Sequence, residues 1–377
     1  NDALGHQKGD QLLLSVAERL EALVRAPMLL ARVAGDVFGI LGPEEMVAPS
    51  RLAALFATPV AVGEYSLPIS ATLGFVRLGH SDDNGLNLIK SANIALNRAK
   101  NEGRGRWMYY TQGMAETTRS HLELLHELRL AVSSQSGLEL HYQPQLEIDS
   151  GRVIGVEALV RWRNRSGELI PPDRFISLAE FSGLINDIGD WVFNTAIRQL
   201  RSWDANGIAG LRMAINVSLV QFRNPNFLER LKHSLSDSGI SPDRIELEIT
   251  ESVAMLDAES VIASLRELKA LGLQIAIDDF GTGFSSLSYL HRLPIDRLKI
   301  DRAFVHDLTA EQSSGASIAQ TIVRLGQSLG LSVIAEGVEN DTQAKLLRDF
   351  GCPHAQGFLY ARPLPADDFV AWHAART

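Results

Sequence analysis

From about residue 138 onward the chain repeats one alternation, and this constrains its fold more than any other feature. Short apolar runs are followed by longer segments with helical spacing. The runs are LELHYQPQL, VIGVEALVRW, RMAINVS, RIELEIT, LQIAIDD, RLKID, SVIAEGV and HAQGFLY. Between them stand patterns such as NPNFLERLKHSLSDSG, SVIASLRELKALG and SIAQTIVRLGQSLG, whose apolar residues recur at the intervals of an amphipathic helix. Eight such runs, in the ~250 residues usual for the fold, predict a (β/α)8 TIM-like barrel.

Each run carries a polar residue at or near its end: Gln143, Glu157, Asn216, Glu248, Asp278, Lys299, Glu336 and Gln356. Barrel enzymes assemble their active sites at the C-terminal ends of the strands. One polar residue there is an ordinary loop start. Carboxylates from four runs on one mouth repel unless a cation compensates them, and oxygen-rich ligand sets favour Mg2+ or Mn2+. The adjacent pair Asp278 and Asp279 sharpens the point. Neighbouring side chains on a strand point to opposite faces, so Asp279 reaches the same mouth only if the backbone turns directly after Asp278. The glycines of the following FGTG permit such a turn. Taken singly, these residues have plainer readings: a helix cap for the aspartates, a surface ion pair for the lysine of KID, a turn for the asparagine of INVS.

A chain of 377 residues exceeds one ordinary core. Its 45% hydrophobic and 21% charged residues are those of a soluble globular protein. The net charge of −9 argues against a general nucleic-acid coat, so neither DNA nor RNA is an expected partner. The single cysteine, Cys352, excludes an internal disulfide framework and fits a reducing cytosol. No apolar run approaches the ~18 residues of a membrane span, so cytoplasmic domains are expected. The chain opens on Asn1 within a helix-like stretch, and a sensor or membrane segment upstream is a further expectation.

The first 112 residues read as a small α/β domain: a helix in GDQLLLSVAERLEALV, a hairpin in LLARVAGDVFGIL, a strand in PISATLGFVRL and a helix in LNLIKSANIALNRAKNEG. Residues 113–135 read as a helical linker, and 136–377 as the second domain.

The segments EALVRW (157–162), INVS (215–218), EITE (248–251), DDFGTGFSSLSYL (278–290), KID (299–301), EGVE (336–339) and QGF (356–358) together resemble the EAL domain. That family comprises cyclic-di-GMP phosphodiesterases of bacterial signalling. The resemblance covers about residues 120–377. It implies a modified (β/α)8 barrel with an antiparallel first strand, and hydrolysis of cyclic-di-GMP to linear pGpG with two Mg2+ or Mn2+ per active site. Glu157, Asn216, Glu248 and Asp278 match the family's ligands for one ion, and Asp278, Asp279 and Glu336 the surroundings of the other. Two ions ~3.5–4 Å apart would stabilise the attacking and leaving oxygens of an in-line displacement. Lys299 matches the lysine beside the attacking water, with Glu157 and Glu336 completing the catalytic set. Arg161 matches a phosphate contact, and Gln143, Gln356 and Pro363 match substrate-pocket positions. Glu251 matches the residue that steadies the DFGTG loop. The resemblance also implies a homodimer. Two departures leave the ligands intact: Phe284 where Tyr is common, and AEFSG at 179–183 in place of AEETG.

Residues 1–112 resemble a GGDEF domain, the diguanylate cyclase fold, incomplete at its N-terminus. The matching pieces are ND (1–2), GH (5–6), GD (9–10), ARVAGDVFGIL (31–41) and AKNEGRGR (99–106). The signature reads AGDVF. Ala34 puts a Cβ where a nucleotide approaches closely, and Val37 cannot ligate a metal. The inhibitory pattern RxxD falls on Arg25 to Met28 and lacks its aspartate, so product inhibition there is not expected. Asn1 and Asp10 match the guanine-recognising pair, and Lys100 and Arg104 match phosphate contacts. The domain is therefore read either as a GTP-binding regulator without chemistry or as an unused surface. For the whole chain the alternatives are a phosphodiesterase, a cyclic-di-GMP receptor that does not cut, and a diguanylate cyclase. The complete ligand set favours the first, and Ala34 and Val37 disfavour the last.

Overall fold

Eight strands of the second half close into a barrel. The structure is a computed structural model describing every residue except 1–5, 64, 79–83, 104, 237, 255–257, 283–289, 309–313 and 377. The chain divides into two compact units, 1–123 and 124–377, and the division falls inside the helix Gln112–Ser133.

In the first unit, helix His6–Glu21 leads to an antiparallel hairpin of β1 (Leu29–Ala34) and β2 (Val37–Leu41). A second short hairpin joins β3 (Val60–Val62) to β4 (Tyr65–Leu67), and β5 (Leu73–Phe75) lies parallel to β6 (Trp107–Tyr109). Only three residues of the expected strand PISATLGFVRL are extended. Helix Gly85–Glu102 packs its buried Ala95 and Ala99 inward, and the Asn84 side chain caps it by accepting from the Asn87 N–H.

The barrel strands of the second unit are β7 (Leu138–Glu147), β8 (Val153–Arg163), β10 (Arg212–Val217), β11 (Ile245–Thr250), β12 (Gln274–Phe280), β13 (Arg297–Ile300), β14 (Ser332–Ala335) and β15 (His354–Ala355), with a short β9 (Leu169–Ile170) extending β8. From β8 through β15 each barrel strand is parallel to the next. β7 closes the ring antiparallel to both β8 and β15. The reversed first strand is the modification the resemblance implied. Two residues expected near strand ends lie mid-strand instead: Gln143 on β7, which enters at the mouth and runs away from it, and its partner Glu157 on β8. The run HAQGFLY is extended only at its first two residues. It then folds into a turn in which the Gly357 carbonyl accepts from the N–H groups of Tyr360 and Ala361.

Period-2 alternation decides what the barrel wall faces. On β11, Ile245, Leu247 and Ile249 point to the helices while Glu246 and Glu248 point inward, yet all five are buried. The outer layer is apolar. Helix Ile185–Ala205 alone buries Ile188, Phe193, Ile197, Leu200 and Trp203 against it. Tyr142 of β7 meets Trp203 edge-on at 4.8 Å, and Phe369 of the last helix packs on the same indole at 4.6 Å. Among the described residues, no helix is long and apolar enough to cross a membrane.

The turn after β15 is locked to the β14 loop: the Val338 N–H donates to the Gln356 carbonyl and the Leu359 N–H to the Val338 carbonyl. A Cβ on Gly357 would overlap the backbone N and O of Val338. Gly357→Ala is therefore expected to cost the barrel about 1–3 kcal/mol, read as a lower midpoint of its denaturation transition. An unchanged midpoint would show that this segment yields.

Candidate active site

Lys299 stands at the centre of the barrel mouth, its side chain 1% exposed. Its Nζ lies 2.6 Å from Glu336 Oε1, 2.7 Å from Glu248 Oε2, 3.1 Å from Asp278 Oδ1 and 3.8 Å from Glu157 Oε2. The contacts to Glu248 and Glu336 are ion pairs without hydrogen-bond alignment. Burial opposes the ammonium's charge, but Asp278, Glu157, Glu248 and Glu336 outweigh it and hold the lysine well above its ordinary pKa.

Amides hold the remaining side. Asn216 Nδ2 donates to Glu157 Oε1 at 2.6 Å, and Gln356 Nε2 donates to Glu157 Oε2 at 2.6 Å and to Gln143 Oε1 at 2.9 Å. Gln143 Nε2 donates in turn to the Ala361 carbonyl at 3.1 Å, two residues before Pro363. For Glu157, burial works against ionisation, but Lys299 and the two amides prevail and its pKa is lowered. Among the described residues, no such donor reaches Glu248. Burial and the neighbouring Glu157 push it well above the carboxylate range, and neither of its oxygens accepts a hydrogen bond.

The aspartate pair is brought together by a bulge. Between β12 and β13 the register shifts so that Asp278 and Asp279 together face the one residue Lys299. Asp279 itself takes a left-handed φ of +53°, which Asp tolerates better than most residues because its short polar side chain bonds locally. The turn thus begins two residues before the first glycine, with Gly281 continuing it at φ +100°. The Asp279 N–H donates to Asp278 Oδ1 at 2.9 Å, and the Gly281 N–H donates to Glu251 Oε2 at 3.0 Å. As a result Asp278, Asp279 and Glu336 each offer an oxygen within 4.8 Å of the others. Arg161, half-buried, lies on the same strand face as Glu157, and its Nη1 donates to the Val160 carbonyl.

This donor set fits a hard divalent cation. It is all oxygen, it is crowded with like charge, and Glu248 has oxygens that no donor satisfies. The crowding is visible in the acidities. Burial, then charge from Asp278, raises Asp279 to about 6. Burial, opposed by Lys299 and aided by Asp278, raises Glu336 to about 8.

In the first unit, the AGDVF hairpin is intact as backbone. Ala34 pairs with Val37 across a turn in which Gly35 has φ +47°, and Arg32 Nε donates to the Gly35 carbonyl. Met28 is 5% exposed and leaves no carboxylate at the RxxD position. Asp10 and Lys100 are exposed on helices His6–Glu21 and Gly85–Glu102. Asn1, Arg104 and Phe284 lie outside the described residues.

The acidities fix a pH dependence. Asp279 and Glu336 bind protons more tightly in the cation-free folded protein than in the unfolded chain, whose carboxyls titrate near 3.8 and 4.5. The folded state then holds more protons, and stability falls as pH rises toward about 8. Chelator-treated protein is expected to melt at a lower temperature at pH 8 than at pH 5, with Mn2+ or Mg2+ restoring stability most at pH 8. A melting temperature that does not respond to pH over this range would contradict the crowding described.

The diguanylate cyclase GGDEF-domain model matches residues 1–106, and the EAL-domain model matches residues 125–363. MucR of Pseudomonas aeruginosa, a bifunctional diguanylate cyclase/cyclic di-GMP phosphodiesterase, is 40% identical over 376 residues, 98% of this chain and 55% of that protein. The cyclic di-GMP phosphodiesterase PdeR of Escherichia coli is 37% identical over 379 residues, 99% of this chain and 57% of that protein. The chain thus spans about half the length of the curated relatives it matches. Among solved structures, the phosphodiesterase of PaMucR in complex with c-di-GMP superposes with a TM-score of 0.63 at 44% identity, over 66% of this chain and 99% of that one.

Proposed function

Because this chain belongs to the EAL domain family and carries a GGDEF domain ahead of its barrel, we propose that it is a cyclic-di-GMP phosphodiesterase releasing linear pGpG. The observation that carries the reading is the buried ammonium of Lys299 among Glu248, Asp278 and Glu336, beside the bulged aspartate pair. The c-di-GMP complex of the related PaMucR barrel supports the choice of substrate. In the reaction, water adds to one phosphorus, the bond from phosphorus to a 3′-oxygen breaks, and that oxygen ends protonated.

Two divalent ions, held by Glu157, Asn216, Glu248 and Asp278 and by Asp278, Asp279 and Glu336, would supply Lewis acidity toward water and phosphate. The protein's own groups do the rest. Lys299 faces the phosphorus as charge accumulates on its oxygens. Glu336, 2.6 Å from the Lys299 ammonium, holds that charge toward the reacting centre. Glu157, fixed by Asn216 and Gln356, keeps its orientation. Arg161 suits a phosphate oxygen, and Gln143, Gln356 and Pro363 line the side where the nucleotide lies. Glu251, through the Gly281 N–H, steadies the bend that presents Asp279.

The test is purified protein with cyclic-di-GMP and Mg2+ or Mn2+, followed for pGpG by chromatography. Asp278→Ala is expected to lower turnover at least ~10²-fold, and Lys299→Ala to lower kcat much more than it raises KM. Near wild-type turnover in Asp278→Ala would sink the metal assignment. An effect of Lys299→Ala confined to KM would reduce that lysine to a substrate contact. Tight binding without pGpG would make the protein a receptor.

The proposed domain limits are 1–112, 113–135 and 136–377, and the proposed assembly is a homodimer whose interface communicates with the site through Glu251. The first domain regulates and does not synthesise: Val37 offers no oxygen to a metal, while Asp10 and Lys100, with Asn1 and Arg104, are assigned to GTP. A regulator can shift the barrel by no more than its differential affinity for two arrangements. GTP is expected to change the phosphodiesterase rate in wild type and not in Asp10→Ala, with no cyclic-di-GMP made. Calorimetry without GTP binding, in protein with a complete N-terminus, would refute the regulatory role.

A further inference from the structure

Beneath the Lys299 layer the barrel carries a second buried charged layer that the chemistry above does not use. Arg297 lies two residues before Lys299 on β13, and Glu246 two before Glu248 on β11. Gln145 lies two after Gln143 on β7, whose direction is reversed. Arg297 Nη1 is 3.2 Å from Glu246 Oε1 and 3.2 Å from Gln145 Oε1. Arg212, its side chain 35% exposed, reaches Glu246 Oε2 at 3.4 Å. Arg297 and Glu246 are 1% and 0% exposed.

We propose that Arg297 is a positioning residue: by occupying Glu246 it keeps the Lys299 ammonium in the upper layer, among Glu248, Asp278 and Glu336. Its catalytic consequence rests on the phosphodiesterase reading; the placement of the lysine does not. Residues two apart on a strand are separated by about 6.6 Å, a distance that a flexible four-carbon stem can span. An ammonium is a compact charge on a mobile stem, whereas a guanidinium is a planar fork able to bond the Gln145 amide and the Glu246 carboxylate together. A buried carboxylate deprived of its cation draws the nearest one available. Arg212 serves only Oε2, from the edge. In Arg297→Gln, therefore, Glu246 keeps only the 3.4 Å contact of the part-exposed Arg212 to Oε2, and Lys299 turns down to Oε1. The reciprocal Glu246→Gln breaks the same buried pair but offers the lysine no competing carboxylate.

The experiment compares Arg297→Gln, Glu246→Gln, the double variant and Arg297→Lys by crystal structure, melting temperature and steady-state kinetics. In Arg297→Gln, Lys299 Nζ is expected at ion-pair distance from Glu246, with kcat down at least ~10-fold and KM little changed. In Glu246→Gln and in the double variant, Lys299 stays beside Glu336 and kcat stays within ~3-fold of wild type, although melting falls. Arg297→Lys, which keeps a cation in the lower layer, retains kcat and serves if Arg297→Gln does not fold. The proposal is overturned if Lys299 keeps its place in Arg297→Gln, if Glu246→Gln loses as much kcat as Arg297→Gln, or if Arg297→Lys loses its kcat. Wild-type protein that leaves cyclic-di-GMP intact would sink the phosphodiesterase reading instead, and the position of Lys299 in the variant structures would still decide this one.

Discussion

One ammonium against four carboxylates is the interaction on which the second unit depends. Lys299 contacts Glu157, Glu248, Asp278 and Glu336 within 3.8 Å, yet it carries a single charge. The imbalance is expressed as raised pKa values at Glu248 and Glu336 rather than as a set of comfortable ion pairs. Burying such a group without further cations costs stability, so the arrangement makes physical sense as a receptacle for positive charge. The amides of Asn216 and Gln356 stabilise one member, Glu157, and leave oxygens of Glu248 and Glu336 to be satisfied by what binds.

The backbone reaches this arrangement by two irregularities. The reversal of β7 lets Gln143 and Gln145 serve two layers in the opposite order from the pairs on β11 and β13. The bulge at Asp278 and Asp279 places two consecutive carboxylates opposite one lysine, which a regular strand cannot do. The left-handed backbone of Asp279 carries strain of the kind that persists only when its surroundings determine it. The Glu251 bond to the Gly281 N–H supplies part of that determination.

The barrel was legible from the alternation of runs, and its upper layer from the polar residue each run carries. Other features were hidden for identifiable reasons. RIELEIT alternates as a half-solvated strand would, yet both of its faces are buried, because a barrel interior can be charged when its charges are paired. Nothing in the run RLKID marks Arg297 as buried, because a spacing of two cannot tell solvent from lumen. The bend at Asp279 was expected from the glycines that follow it, since an αL aspartate leaves no compositional mark. HAQGFLY ends its strand early because Gly357 starts a turn against Val338, a tertiary contact that local propensity does not encode.

The two units differ in how closely chemistry and scaffold are tied. In the AGDVF hairpin the turn depends on Gly35 at φ +47° and on the Arg32 bond to its carbonyl. Neither Ala34 nor Val37 supplies these, and valine suits a strand. The hairpin can therefore lose a metal ligand and keep its shape, so an intact backbone there carries no information about catalysis. In the barrel the side chains that would do the chemistry are also the buried charges that fit one another. Removing Lys299 leaves four carboxylates without their one ammonium in the interior, so loss of function and loss of stability are coupled at that residue. That coupling makes a complete set of barrel-mouth residues stronger evidence for activity than an intact hairpin can be.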